Sequence, residues 1–371
     1  MSKTKSLTSA VSNELKSKFD LKSFKNKKGL DSNVGFKEQK WINFTPPVQK
    51  ALSLPGIPMG HVVLARGRSD TGKTTLLIES AIEAQKMGVL PVFIITEMKW
   101  DFSHAEKMGF KLTKTIDPDN SENISYEGFF LYVDRTTLNT IEDVATFIID
   151  LLEEQKKGNL PYDLLFLWDS SGSIPCNMSV DQGKNNPMWN AGAMAAQFGN
   201  FVNQKFPLSR KTNYPYTNTL FVINKTGVQP AESPIGRPKM TNKGGDTMFW
   251  DASVVITFGN ITNSGVSKLK AQKDKKNVEF AKRTKIAIDK IHLKDGISTQ
   301  STIVMTPHGF IDNTDSAVAK YKKQYSKKWF EDQTINDKDI EIIEDNTEWE
   351  ESNRIISYSD MVENIGDKDE A

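Results

Sequence analysis

From about residue 46 onward, short uninterrupted apolar runs alternate with longer stretches of mixed polarity. HVVLA, PVFIIT, GFFLYV, YDLLFLWD, TLFVIN and ASVVITF are such runs, and TIEDVATFIIDLLEEQKKG (140–158) is a helical stretch between two of them. Buried parallel strands are apolar on both faces, so the pattern predicts an α/β fold: a mostly parallel central sheet with helices on both faces. TKIAIDKI and QSTIVMT alternate more and predict an antiparallel edge extension. Upstream, Leu7, Val11, Leu15 and Phe19 lie four apart. On a helix they form one stripe, which must pack on its own core or on a neighbouring subunit. KSFKNKKGLDSN (22–33) reads as a flexible link. After TPHGFID (306–312) the chain turns polar and then acidic. Trp349, Ile355, Ile356, Tyr358 and Met361 suggest one short, partner-binding helix there. The implied division is a basic arm with a polymerisation helix over 1–45, a core over 46–315, and a partly disordered acidic tail over 316–371.

A chain of 371 residues is long enough for a sizeable core. The formal net charge of +1 conceals strong polarity. Residues 1–50 hold eleven Lys against four acidic residues, whereas residues 331–371 hold fifteen acidic residues against three basic ones. A basic head and an acidic tail suggest an anionic partner and a segment that competes for basic surface. Cys176 is the single cysteine, so no internal disulfide forms, which fits a reducing cytoplasm. No apolar run approaches the roughly 18 residues of a membrane span, and no signal peptide is visible, so no membrane partner is expected.

The candidate chemistry begins at Gly67-Arg68-Ser69-Asp70-Thr71-Gly72-Lys73-Thr74-Thr75, which matches G-x-x-x-x-G-K-[ST]. Glycines let the backbone turn tightly so that its N–H groups face phosphate, and the following helix adds its positive N-terminal end. Lys73 supplies a cation to the terminal phosphates of ATP, and Thr74 offers a hydroxyl to Mg²⁺. The run YDLLFLWD ends in Asp169, a carboxylate at a strand's C-terminal edge that suits the same metal. A second run ends in Thr96-Glu97. At the mouth of a strand next to the phosphate-loop strand, Glu97 would orient an attacking water.

Together these residues resemble the RecA family of homologous-recombination ATPases, and most of all the phage recombinases of the UvsX type. The likeness runs from about Trp41 to Asp312. INFTPPVQKALSLPGIPMGHVV is similar to the family's entry segment, GRSDTGKTT to its Walker A and LFLWDSSGSIP to its Walker B with the following serine. FIITEMKWDFSHAEKMG resembles the glutamate segment. By that match Glu97 is the catalytic carboxylate, and Asp101 and His104 flank the adenine, His104 standing where the family usually has Tyr. TLFVINKTG resembles the next strand, with Asn224 kept and Lys225 in place of the family's phosphate-sensing Gln. KRTKIAIDKIHLKDG resembles the strand that carries two basic residues to the neighbouring subunit's nucleotide. Those would be Lys290 and His292, with Lys294 a competing candidate.

Residues 177–196, including Asn190, and residues 227–248, including Arg237, Lys239, Lys243, Gly244 and Gly245, match the positions of the family's two DNA loops. Long loops without regular structure inside a compact domain are usually functional, and basic side chains near glycines suit single-strand phosphates. Lys268 to Lys285 adds eight basic residues, read either as a solvated hairpin or as a second, duplex-binding surface. The resemblance implies a recombinase that uses ATP and Mg²⁺ to form a helical filament on single-stranded DNA and exchange it with homologous duplex DNA. A single-strand-binding or mediator protein is a further candidate partner. The alternatives are a hexameric helicase motor and a non-motor repair ATPase on the same core.

Overall fold

The computed structural model describes residues 20–28, 35–120, 122–177, 196–197, 199–202, 214–229, 239–243, 245–260, 265–293, 298–331 and 337–346. The chain divides into two units, residues 1–38 with 211–215, and residues 39–210 with 216–371. In the first, α1 (Leu21–Lys27) occupies the stretch read as a link. Its start is set by Asp20, whose carboxylate accepts from Ser23 N–H at 3.1 Å, and its last turn carries Lys25 and Lys27, which suit the negative end of the helix. The stripe from Leu7 to Phe19 lies outside the described residues.

The second unit opens with β1 (Trp41–Asn43), α2 (Pro46–Leu52) and β2 (Gly56–Pro58), β1 and β2 pairing antiparallel. Then come β3 (Val62–Gly67), α3 (Lys73–Lys86), β4 (Leu90–Ile95) and α4 (Phe102–Met108). A small exposed hairpin, β5 (Thr113–Ile116) with β6 (Ile124–Glu127), precedes β7 (Leu131–Asp134) and α5 (Ile141–Lys157). Next are β8 (Leu164–Asp169), β9 (Thr219–Gln229), β10 (Lys239–Asn242), α6 (Thr247–Asp251) and β11 (Val254–Phe258). The last elements are β12 (Val266–Lys273), β13 (Lys276–Ile291), β14 (Gln300–Thr306), β15 (Gly309–Ile311), α7 (Asp315–Trp329) and β16 (Glu341–Asp345).

Twelve of these strands form one sheet, whose main path runs β15-β14-β13-β11-β3-β9-β8-β4-β7. From β11 to β7 every pairing is parallel. From β11 outward to β15 every pairing is antiparallel, as the alternating sequence there predicts. The fold is mixed α/β, with a large, mostly parallel sheet and antiparallel edge strands.

The side-chain period of two splits each central strand between two cores. Val63, Ala65, Phe93, Ile95 and Leu167 pack with Leu76, Leu77 and Ala81 of α3. Val62, Leu64, Val92, Ile94 and Phe166 pack on the other face with Ile141, Val144 and Ile148 of α5. The start of α5 is fixed by a capping box: Thr140 accepts from Asp143 N–H at 3.3 Å, and Asp143 accepts from Thr140 N–H at 2.9 Å. No helix among the described residues is long and apolar enough to cross a membrane. Cys176 is buried.

The segment expected as an acidic tail is folded where it begins. Val318, Tyr321, Tyr325 and Trp329 recur every three or four residues along α7 and pack with Phe280, Leu269 and Ala271 in a third core. Strand β16 pairs antiparallel with β12, Lys270 meeting Asp345 at 2.8 Å and Arg283 meeting Glu344 at 3.0 Å. The basic stretch 267–285 lies in the β12–β13 hairpin, whose β12 edge this strand extends. Residues Trp349 to Met361 lie outside the described residues.

Candidate nucleotide-binding site

Strand β3 ends at Gly67, and the chain turns through Arg68–Gly72 into α3. Gly72 has φ +111°, and a Cβ there would stand 3.0 Å from the ring of Phe310. Only glycine meets both demands. Thr71 Oγ1 and Lys73 Nζ both donate to Arg68 O, at 2.9 and 2.5 Å, which closes the loop on itself. The first turn of α3 has no acidic residue and no side-chain cap. Its backbone N–H groups are therefore available to an anion.

The neighbouring strand ends complete the site. Thr74 Oγ1 donates to Asp169 Oδ2 at 2.8 Å. The N–H groups of Thr96 and Glu97 donate to Asp169 O at 2.8 and 3.2 Å, which ties the end of β4 to the end of β8. Glu97 Oε1 accepts from Ser170 Oγ at 2.5 Å and pairs with Lys225 Nζ at 2.9 Å. The peptide bond between Asp169 and Ser170 is cis.

Glu97 does not stand next to the phosphate-loop strand. Both β9 and β8 lie between β3 and β4. Chain order in a doubly wound sheet is not spatial order, so Glu97 reaches the site across β8, through Ser170 and Lys225.

Burial sets the charges here. It lowers the Lys73 ammonium to about 8, although Asp169 and Glu97 pull it up. It raises Asp169 to about 6 against the hydrogen bond from Thr74. Burial alone would raise Glu97 too, but the hydrogen bonds from Ser170 and Lys225 and the Lys225 charge outweigh it. The carboxyl ends below its ordinary value.

Lys73, Thr74, Glu97, Asp169 and Lys225 all line one cavity of about 260 Å³. A larger cavity of about 530 Å³ adjoins through Asp70, Lys73 and Thr74. Asp101, His104 and Lys107 form one wall, and Phe280–Lys282 with Met305–Pro307 form another. His104 Nε2 is buried without a hydrogen-bond partner. Asp101 serves first as the cap of α4, accepting from Ser103 N–H at 2.8 Å. A glycine cradle, an uncapped helix start, a cation, and a hydroxyl beside a buried carboxylate make a donor set that fits a nucleoside triphosphate with a divalent cation.

Residues 41–131 match the RecA N-terminal domain. Within the curated relatives, the chain is 40% identical to Protein RecA of Cytophaga hutchinsonii over 74 residues, 19% of this chain and 21% of that protein. It is 38% identical to Protein RecA of Geobacter sulfurreducens over 74 residues, 19% of this chain and 22% of that protein. To Protein RecA of Porphyromonas gingivalis it is 34% identical over 101 residues, 26% of this chain and 30% of that protein. The chain thus spans less than a third of the length of these relatives. The RecA-like segment contains the phosphate loop, Glu97, Asp101 and His104, whereas Asp169, Asn224 and Lys225 lie beyond it.

Outside the RecA-like segment, the remaining expected residues separate into groups. Asn224 is buried, and its Nδ2 donates to Lys243 O at 2.9 Å, while Lys243 N–H donates to Lys225 O at 2.9 Å. Lys290 points away from this chain's own phosphate loop. Its Nζ donates to Phe249 O and Trp250 O at 2.8 and 2.5 Å. It lies four residues along β13 from Ile286, which is level with Phe258 and Gly67, a strand distance of about 13 Å. His292 is exposed just past β13, and Lys294 is outside the described residues.

The second expected loop is shorter than read. Strand β9 continues to Gln229 and β10 pairs back on it from Lys239, Asn242 opposite Thr226. Backbone pairing, not apolar side chains, makes these strands, so the apolar pattern hid them. Lys243 is exposed, and Gly245 has φ +94°. Asn190, Arg237 and Gly244 lie outside the described residues, as does most of 177–196.

One buried acid escaped the sequence reading. Glu79, on α3, accepts from Phe310 N–H and Thr45 Oγ1, each at 2.7 Å. Burial raises it to about 7. Its only signal was an acid set among apolar residues in LLIESAIEA, where the second acid, Glu83, is paired with Lys86 at 2.5 Å.

Proposed function

We propose that the chain is an ATP-dependent DNA recombinase that forms a helical filament on single-stranded DNA and pairs it with homologous duplex DNA. The observation that carries this reading is the convergence of Lys73, Thr74, Glu97, Asp169 and Lys225 on one cavity at the C-terminal ends of parallel strands, in a chain whose residues 41–131 match the RecA N-terminal domain. The proteins it is similar to are named RecA. The further closeness to UvsX-type phage recombinases rests on the motifs quoted above.

In this reading the Gly67–Gly72 backbone and the start of α3 bind the phosphates, and Lys73 neutralises them. Thr74 and Asp169 hold Mg²⁺, which supplies positive charge to the phosphate oxygens. Glu97 orients a water toward the terminal phosphate, and Ser170 fixes the carboxylate's angle. Asp101 and His104 bound the base. Lys290 and His292 serve the nucleotide of an adjacent subunit, in keeping with the placement of Lys290 away from its own loop. Lys243, with Arg237, Lys239, Gly244, Gly245 and Asn190, contacts DNA. Hydrolysis is stimulated by DNA because the site is completed only in the filament.

The test is negative-stain electron microscopy of the protein with long single-stranded DNA, Mg²⁺ and a slowly hydrolysed ATP analogue. Continuous helical filaments that are lost with Lys73→Ala are expected. Closed rings would instead support a helicase motor, and bare DNA with monomers would leave an ATPase without a filament.

A further inference from the structure

The pair formed by Glu97 and Lys225 has a consequence for how the site is kept quiet. Glu97 Oε1 is engaged twice, by Ser170 Oγ and by Lys225 Nζ. The side chains of Glu97 and Lys225 are 17% and 35% exposed, so water screens their attraction only in part. A carboxylate held by an ammonium is a weak base and has less freedom to accept a proton from water. Lys225 lines the same cavity as Lys73 and Thr74. Any anion entering that cavity therefore meets an ammonium already committed to Glu97.

A terminal phosphate carries close to two negative charges at neutral pH, against one on the carboxylate. It outcompetes Glu97 for the same ammonium. We propose that Lys225 masks Glu97 in the nucleotide-free chain, and that the terminal phosphate of a nucleoside triphosphate draws Lys225 away and so uncovers the carboxylate. The proposal rests on the nucleotide reading above and adds a regulatory step to it. Loss of the cation and arrival of an anion both strengthen Glu97 as a base, so the carboxylate becomes competent only when there is a phosphate to attack. A nucleoside diphosphate, one phosphate shorter, leaves the pair closed. Lys225 acts here as a positioning residue, through Glu97.

The test is a binding cycle followed by calorimetry on the full chain, with a non-hydrolysable ATP analogue and with ADP, each with Mg²⁺. If the pair competes with the phosphate, Glu97→Gln frees Lys225 and tightens the triphosphate analogue about fivefold, the size of a partly screened ion pair. ADP affinity stays within about twofold. In a Lys225→Met background the Glu97→Gln gain disappears, because no ammonium remains to be released. Lys225→Gln replaces Lys225→Met if circular dichroism shows that the latter does not fold. An equal gain in both backgrounds would mean direct repulsion between Glu97 and phosphate and would overturn the masking. So would no gain in the wild-type background, or an equal gain for ADP. A wild-type chain that binds neither nucleotide would overturn the nucleotide reading itself, and masking with it, a result distinct from failure of the cycle alone.

Discussion

Thr74 Oγ1 and Asp169 Oδ2 meet at 2.8 Å, although they belong to a helix start and a strand end 95 residues apart in the chain. A hydroxyl and a buried carboxylate side by side, next to a loop that gathers N–H groups, form the oxygen pair a small divalent cation takes. Asp169→Asn should therefore uncouple Mg²⁺ from nucleotide binding. Mg²⁺ should raise the thermal midpoint of the wild type in the presence of ATP and leave that of the variant unchanged. A variant still responding to Mg²⁺ would place the metal elsewhere.

Glu97 touches Ser170 and Lys225 but has no bond to the phosphate loop. Glu97→Gln should retain nucleotide binding and slow hydrolysis by about 10²–10³-fold, the usual size for loss of one group that acts in the transition state. Single-turnover hydrolysis measures this directly, and an unchanged rate would remove Glu97 from the chemistry.

Lys73 is buried at the site and its ammonium is lowered to about 8. The unfolded chain holds that proton up to about 10.5, so the fold is penalised below pH 8 and recovers as pH rises from 8 toward 10. Lys73→Met should thus stabilise the nucleotide-free protein at pH 7, by at most about 3 kcal/mol, while destroying triphosphate binding. The loss of a cation beside Asp169 offsets part of this gain. Urea unfolding at pH 7 and pH 10 tests it: the advantage should shrink at the higher pH.

Glu79 is raised to about 7 by burial behind the phosphate loop. Its stabilising state is the protonated one, complete below the ordinary carboxyl value of 4.5 and lost as pH rises through 7. Glu79→Gln keeps an acceptor for Phe310 N–H and removes the charge. It should be more stable than wild type at pH 8, by up to about 3 kcal/mol, and close to equal at pH 4. A variant less stable at pH 8 would show that the charged form is the one the fold favours.

The acidic end of the chain has two parts with different expected effects. Removal of residues 347–371 leaves β16 and its pairs with Lys270 and Arg283 in place. It should tighten single-stranded DNA binding at moderate salt without lowering the thermal midpoint, because a competing acidic segment is lost. Removal of residues 331–371 also takes Ile340, which is 2% exposed, out of the third core. That deletion should cost about 2 kcal/mol as well, the worth of one buried aliphatic side chain. Fluorescence anisotropy with a labelled oligonucleotide and a melting curve separate the two effects.

The phosphate loop was legible because it is contiguous: one strand, one glycine turn and one helix start carry it. The central strands were legible because burial on both faces leaves an unbroken apolar run, as in LLFLWD and PVFII. Helix α7 was missed. Val318, Tyr321, Tyr325 and Trp329 fall at helical spacing, but the acidity downstream makes the segment read as a tail. Strands β10 and β16 were not legible, since KMTN and EIIED become strands through the partners they meet, Thr226–Gln229 and Lys268–Gln272.

By itself, then, the sequence determined which apolar runs become the central strands, where a phosphate-type loop lies, and which acids and bases are candidates. These follow from local periodicity and from a motif whose parts are neighbours in the chain. Tertiary structure alone decided that β9 and β8 separate Glu97 from the phosphate-loop strand, that Lys225 holds Glu97, and that Glu79 is buried. It also decided that Lys290 faces away from its own loop. The reason is physical: strand order and ion pairing depend on how distant segments divide two faces of one sheet, and no local pattern records that division.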